Sequence, residues 1–414
     1  MVALVAFGCM LSTAFAGTVY YASPNGSSSN NGLSTNSPWP VSYAVGNAAS
    51  GSTVMLMDGS YTTPIDIATP NLTVKAINKW GPKWLNVGSH AGSHDMVIQL
   101  SANNVTLDGV MCSNCQYEVG IEYYMTNCTI RNCWVTQTGN FGWSPMFGSA
   151  SGIQTLPGLG HLVERCLVEY SGTNSTSGGN HGIYGGGTNC IYRNNVLRYN
   201  DGLGIILNSH GQGYDVGNQI YNNLMYGNEA LNSAGGQIDL ANDTQASYAQ
   251  ANQVFGNTLV SAGRGIAVQN MAAFITNNII MSANNPILNN GAGQFTEDYN
   301  LSSVRLSGPH DITTSAPGFV NSNNGLYWIA TNSTAYHMAK STAYGPVDFF
   351  GNTQSSVADI GAFQFQPAYT SDSRVLDPSG SNPDYWANQT GTTKPQTPQG
   401  LHVLSETNLL SEAF

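Results

Sequence analysis

The chain has 414 residues, 41% of them hydrophobic and only 8% charged, with 47 glycines and a net charge of −11. A soluble domain ordinarily carries about a quarter charged residues, and a disordered chain combines low apolar content with high charge; this sequence does neither. The acidic balance and the lack of a basic stripe exclude nucleic acid as a partner. An acidic polymer would require a local cationic group or a bound metal.

Residues 1–16, MVALVAFGCMLSTAFA, form a short apolar run ending in Ala14-Phe15-Ala16. The run matches the core and cleavage site of a secretory signal and is too short to span a bilayer. No later run is long enough to cross a membrane. Residues 17–63 read as an N-terminal cap: a short strand, a polar loop, a helical segment near Val41–Ala49 and a strand over Thr53–Met57.

From Asn104 to Ser302 one phrase returns every 21 to 34 residues. Its copies include Leu107-Asp-Gly-Val110-Met111, Ile130-Arg-Asn-Cys133-Trp134, Tyr192-Arg-Asn-Asn195-Val196, Ile220-Tyr-Asn-Asn223-Leu224 and Ile275-Thr-Asn-Asn278-Ile279. So short a unit cannot bury its own apolar face and must stack on its neighbours. The β-rich, Gly- and Asn-broken pattern predicts an all-β fold, a right-handed parallel β-helix (a solenoid) over residues 64–365 with a helical cap before it. Asn195, Asn223, Asn257, Asn278 and Asn300 would then form an asparagine ladder at the roughly 4.8 Å strand spacing. Cys133 and Cys166 fall in the same column, as a disulfide or as stacked thiols. Asp108, Arg131, Glu164 and Arg193 hold equivalent positions in successive coils, which predicts a ladder of cross-strand ion pairs.

Each coil carries a second phrase of the Gly-Ile type: Gly120-Ile121, Gly152-Ile153, Gly182-Ile183, Gly204-Ile205, Gln237-Ile238 and Gly265-Ile266. If each Ile points inward, alternation turns the next residue outward. The expected outward column is Glu122, Gln154, Tyr184, Ile206, Asp239 and Ala267. His181 precedes one phrase, His210 follows another and Arg264 precedes a third. His181, Tyr184, Asp239 and Arg264 are therefore the candidate proton-transfer and charge-balancing groups. Glu122, Gln154, His210 and Trp143, the last in an interval about ten residues longer than a coil, are candidate substrate contacts. Asp239, Asn242 and Asp243 offer oxygens for calcium, without the spacing of a known calcium loop.

Residues 366–398, rich in Pro, Ser, Thr and Asn, read as a linker. Residues 399–414 resemble the first strand of a fibronectin type III module, cut short.

Tyr21, Ser23-Pro24, Gly26, Gly32, Pro38, Ala44, Ala48, Gly51, Val54, Gly59 and Tyr61, together with the closing phrase Asp359-Ile-Gly-Ala-Phe363, resemble the secreted parallel β-helix proteins of the pectate-lyase-like superfamily. That resemblance implies an extracellular or cell-surface monomer acting on polysaccharide, with calcium as a cofactor of some members. It favours a lyase or C5-epimerase that removes the C5 proton of a uronic acid. A glycoside hydrolase of the same fold is less favoured, because paired carboxylates about 5–9.5 Å apart are needed and none stand on neighbouring coils. A non-catalytic glycan-binding module is the reading from a different class.

Overall fold

The computed structural model describes residues 17–88, 96–139, 151–172, 180–208, 215–228, 236–241, 250–261, 263–282, 284–322, 325–340, 347–351 and 357–365. Three parallel sheets run along one axis, and each coil contributes one strand to each sheet. The first sheet has eleven strands, from Val19–Ala22 to Gln294–Asp298; the second has eleven, from Gly59–Tyr61 to Ile312–Thr313; the third has nine, from Ile65–Ile67 to Ile287–Asn289. The molecule is a right-handed parallel β-helix.

Most strands are three or four residues long, so alternation alone decides which side chains enter the core. Val135, Val168, Leu197, Met225, Leu259 and Ile280 of the second sheet and Ile183, Ile205, Ile238 and Ile266 of the third are fully buried in one continuous column of apolar side chains. The seven-residue helix Val41–Asn47 buries Val41, Ala44 and Val45 over the start of that column. Val19–Ala22 already pairs with Thr53–Leu56 in parallel. The stack thus begins inside the segment expected to be cap alone. At the other end the last parallel strand among the described residues is Ile312–Thr313, and the described residues beyond it do not continue the coils. Phe349, with Ala362 and Phe363 of the closing phrase, packs back on Trp134, Leu167, Val196 and Leu224, the outer face of the second sheet. Among the described residues no helix is long and apolar enough to cross a membrane. Residues 1–16 and 366–414, which hold the expected signal, linker and fibronectin-like strand, lie outside the described residues.

The asparagine ladder is present. The Asn195 backbone N–H donates to Asn223 Oδ1, Asn223 to Asn257, Asn257 to Asn278 and Asn278 to Asn300, each at 3.0 Å. Each Nδ2 repeats the bond to the next Oδ1, also at 3.0 Å. The doublets Asn194-Asn195, Asn222-Asn223 and Asn277-Asn278 divide the work. The first Asn holds the left-handed turn, with φ of 56°, 53° and 57°, a conformation that costs Asn little; the second is the ladder rung. Cys166 heads the ladder by donating its N–H to Asn195 Oδ1 at 2.9 Å. Both Cys133 and Cys166 are buried free thiols, as are the other four described cysteines.

Two further amide columns line the other corners. The Ser171 N–H donates to Asn200 Oδ1, the Asn200 N–H to Asn228 Oδ1, and Asn228 Nδ2 to Gln237 Oε1. At the third corner the Cys190 N–H donates to Asn218 Oδ1 and the Asn218 N–H to Asn252 Oδ1. Replacing Asn223 by Leu should lower stability by about 1–3 kcal/mol, because the Asn195 N–H and the Asn257 carboxamide lose buried partners. A denaturant midpoint equal to that of the native chain would contradict the ladder's role.

On the outer face of the first sheet, Arg131 Nε and Nη2 both lie 3.0 Å from Asp108 Oδ2, and Arg193 Nη2 lies 2.7 Å from Glu164 Oε2. Arg193 Nη1 also donates to the Tyr221 hydroxyl at 2.8 Å. The expected ion ladder is thus present as two pairs, Asp108–Arg131 and Glu164–Arg193.

Candidate functional site

The Gly-Ile phrases mark the corner where the chain turns from the second sheet into the third. A methyl group on Gly182 would lie 2.8 Å from the Gly204 carbonyl oxygen, and one on Gly265 would lie 2.2 Å from Ile280 Cγ2. The glycines thus record close packing at the corner. Strand pairing then fixes the outward column: Gln99, Gly120, Gln154, Tyr184, Ile206, Asp239 and Ala267.

One expected member falls out of this column. Val119 pairs with Ile153 and Gly120 with Gln154, so Gly120 occupies the place assigned to Glu122. Glu122 lies two residues further on, half-buried at the end of the strand, with its N–H on the Leu100 carbonyl at 3.0 Å. Val119-Gly-Ile121 places an apolar residue at both ends of the alternation, and the sequence pattern alone selects the wrong one.

His181 and Tyr184 stand on one coil with ring centroids 5.7 Å apart and planes tilted by 44°. Each is 8% exposed. Tyr184, Leu203 and Ile206 form a small apolar cluster on the outer face, against which Ala241 of the Asp239 strand packs. The surface is therefore continuous from the His181 coil to the Asp239 coil. His181 Nδ1 accepts the Leu203 N–H of the next coil at 3.0 Å. In the neutral ring the proton then sits on Nε2. Burial holds the imidazole neutral, with its pKa pushed down to about 4. With Nδ1 engaged by the Leu203 N–H, the neutral ring offers Nε2–H as a hydrogen-bond donor.

Asp239 carries the opposite perturbation. Burial pushes its pKa up to about 6, against the Gln269 hydrogen bond and the Arg264 charge, which both pull it down. Gln269 Nε2 reaches both carboxylate oxygens, at 3.0 Å to Oδ1 and 2.8 Å to Oδ2. Gln269 was not evident from the sequence. It lies past the alternating column, at the end of Arg264–Gln269, which pairs with Gly236–Ala241 through Ala241 and Gln269. Arg264 pairs with Gly236. It holds the strand position that His181 holds three coils earlier, about 14 Å away at the coil spacing. Gln154 is half-buried beside Tyr184 in the column. Trp143 and His210 lie outside the described residues.

Asp239 is the described member of the expected calcium set; its two oxygens accept from the Gln269 amide, and a calcium ion takes about six to eight oxygen ligands. Asn242 and Asp243 lie outside the described residues. Among those described, no three His, Cys, Asp or Glu side chains converge as a metal site.

The coil geometry and the amide ladders define a right-handed parallel β-helix. Pectate lyase L of Dickeya chrysanthemi is 23% identical to this chain over 342 residues, covering 79% of this chain and 67% of that protein. Among solved structures, pectate lyase Pel9A superposes with a TM-score of 0.58 at 16% identity, over 84% of this chain and 96% of that one. No protein-family model matches the sequence.

Proposed function

We propose that this protein is an exported enzyme that acts on an acidic polysaccharide by removing the proton at C5 of a uronic acid unit, as a lyase or a C5-epimerase. The observation that carries the reading is the pair of opposed perturbations on one outer face: a neutral imidazole that donates, and a carboxylate whose basicity is raised. Paired titrations of this kind mark proton-transfer sites. The likeness to pectate lyase L supports the substrate class, and the short apolar run over residues 1–16 supports export.

In this reading Asp239 takes the C5 proton, its carboxylate oriented by Gln269. The Tyr184 hydroxyl gives its proton to the leaving glycosidic oxygen, and His181 Nε2–H donates a hydrogen bond to the uronate. Arg264, one coil beyond Asp239, offsets the uronate charge, without which the C5 proton is too weakly acidic to leave. Tyr184 and Asp239 are two coils apart, about 10 Å, so substrate must lie along the axis and across the Ile206 strand. Incubation with pectate, alginate and other polyuronates tests the lyase form: absorbance from an unsaturated sugar should rise with at least one polymer. Binding of a polymer without product or change in its uronic acids would favour a glycan-binding module instead.

A further inference from the structure

Tyr124 combines a left-handed backbone with an exposed side chain. Its backbone φ is +63°, in the left-handed region that disfavours any residue with a Cβ. Most non-glycine residues in that region of this protein are Asn. Of the aromatic ones, Trp80 is buried, Tyr170 and Tyr199 stack on each other, Tyr299 stacks on His310 and His337 on Tyr336. Tyr124 has the Tyr123 ring beside it and is 67% exposed, the highest value among the large apolar and aromatic residues described. Its N–H is fixed to the Pro157 carbonyl at 2.8 Å, and its ring lies 5.9 Å from that of Tyr123. Leu159, on the next coil, is 46% exposed, and its N–H donates to the Met125 carbonyl.

A strained and exposed aromatic points to a ligand when it adjoins a groove. Tyr123 and Tyr124 follow directly on Val119–Ile121, the strand paired with Ile153–Thr155 that bears Gln154. That strand in turn pairs with the one bearing Tyr184. The patch therefore continues the proposed groove toward the N-terminal coils.

We propose that Tyr124, with Tyr123 and Leu159, forms a sugar-binding platform that takes the C–H face of a pyranose unit of the same polymer, away from the proton-transfer groups. Flat aromatic rings bury the apolar face of a sugar with little loss of side-chain freedom. The neighbouring Glu122 carboxylate suits a hydroxyl edge of that unit and disfavours its carboxylate edge. The platform rests on the polysaccharide reading above and adds the position and chemistry of a distal subsite.

The test is electrophoresis through native gels containing polygalacturonate, alginate or neutral hydroxyethylcellulose, with melting temperatures measured in parallel. The native chain should be slowed by at least one polymer. Tyr124→Asn should bind that polymer about tenfold more weakly, while its melting temperature holds or rises because Asn accepts the left-handed turn. Tyr124→Trp should keep the binding. Undiminished binding by Tyr124→Asn would overturn the platform. So would a marked fall in its melting temperature, which would make Tyr124 a structural residue. If no polymer slows the native chain, the polysaccharide reading fails, and the platform with it.

Discussion

Asp239→Asn should lower turnover at least about a hundredfold, the scale of a lost general base, with the fold intact. Asn has the same shape but cannot take a proton. In the native chain the rate should rise with pH through about 6, the value to which burial pushes this carboxyl. Gln269→Leu should move that limb higher, because it removes a hydrogen bond that favours the ionised form. Stability should run the other way. The folded state binds the Asp239 proton more tightly than the unfolded chain does, so the stabilisation is complete below the ordinary carboxylate range. It is lost as pH rises through about 6. Asp239→Asn should therefore melt with a flatter pH dependence and be more stable than the native chain at pH values well above that range. A variant with native turnover would remove Asp239 from the chemistry.

Glu169→Ala should destabilise the protein by about 3–5 kcal/mol, since it strands a buried guanidinium. Arg198 Nε and Nη2 each lie 2.7 Å from Glu169 Oε2, and their side chains are only 6% and 2% exposed. Trp134 Nε1 donates to the other Glu169 oxygen at 3.0 Å, and Arg198 Nη1 donates to the Tyr226 hydroxyl at 2.8 Å. This pair lies on the outer face of the second sheet, the face that the closing phrase covers. Replacing both partners, as Glu169→Leu with Arg198→Met, should recover most of the loss, because the desolvation cost disappears with the charges. Urea midpoints for the single and double variants measure both effects. Equal midpoints for Glu169→Ala and the native chain would show the pair to be solvated.

The sequence carried the fold because its strongest signals were residues that repeat in register. The asparagine rungs sit at a fixed offset from apolar strand residues, so their column could be read without coordinates. The other two amide columns keep equally constant offsets and were legible in principle: Asn200 and Asn228 stand five residues after the rungs Asn195 and Asn223, and Asn218 and Asn252 five residues before the rungs Asn223 and Asn257. The pair Glu169 and Arg198 has the same separation as Glu164 and Arg193 and was legible in principle. What the sequence lacked was the covering segment, which turns a surface charge pair into a buried one.

The site was legible as a face and not as a mechanism. The Gly-Ile phrases located the third sheet and placed Gln154, Tyr184 and Asp239 in one column, whereas the ambiguous Val119-Gly-Ile121 misplaced Glu122. The donor character of His181 depends on a backbone N–H from Leu203, on a different coil. The basicity of Asp239 depends on burial and on Gln269. Both are tertiary facts without a local signature.

The most direct measurement is proton exchange at C5, followed by NMR of pectate and alginate incubated with the protein in deuterium oxide. The proposed chemistry predicts deuterium at C5 of an epimerised unit or an unsaturated product from at least one polymer, with both signals lost in Asp239→Asn and strongly reduced in His181→Ala. Polymers recovered with C5 protons intact, chain length unchanged and no new epimer would contradict it.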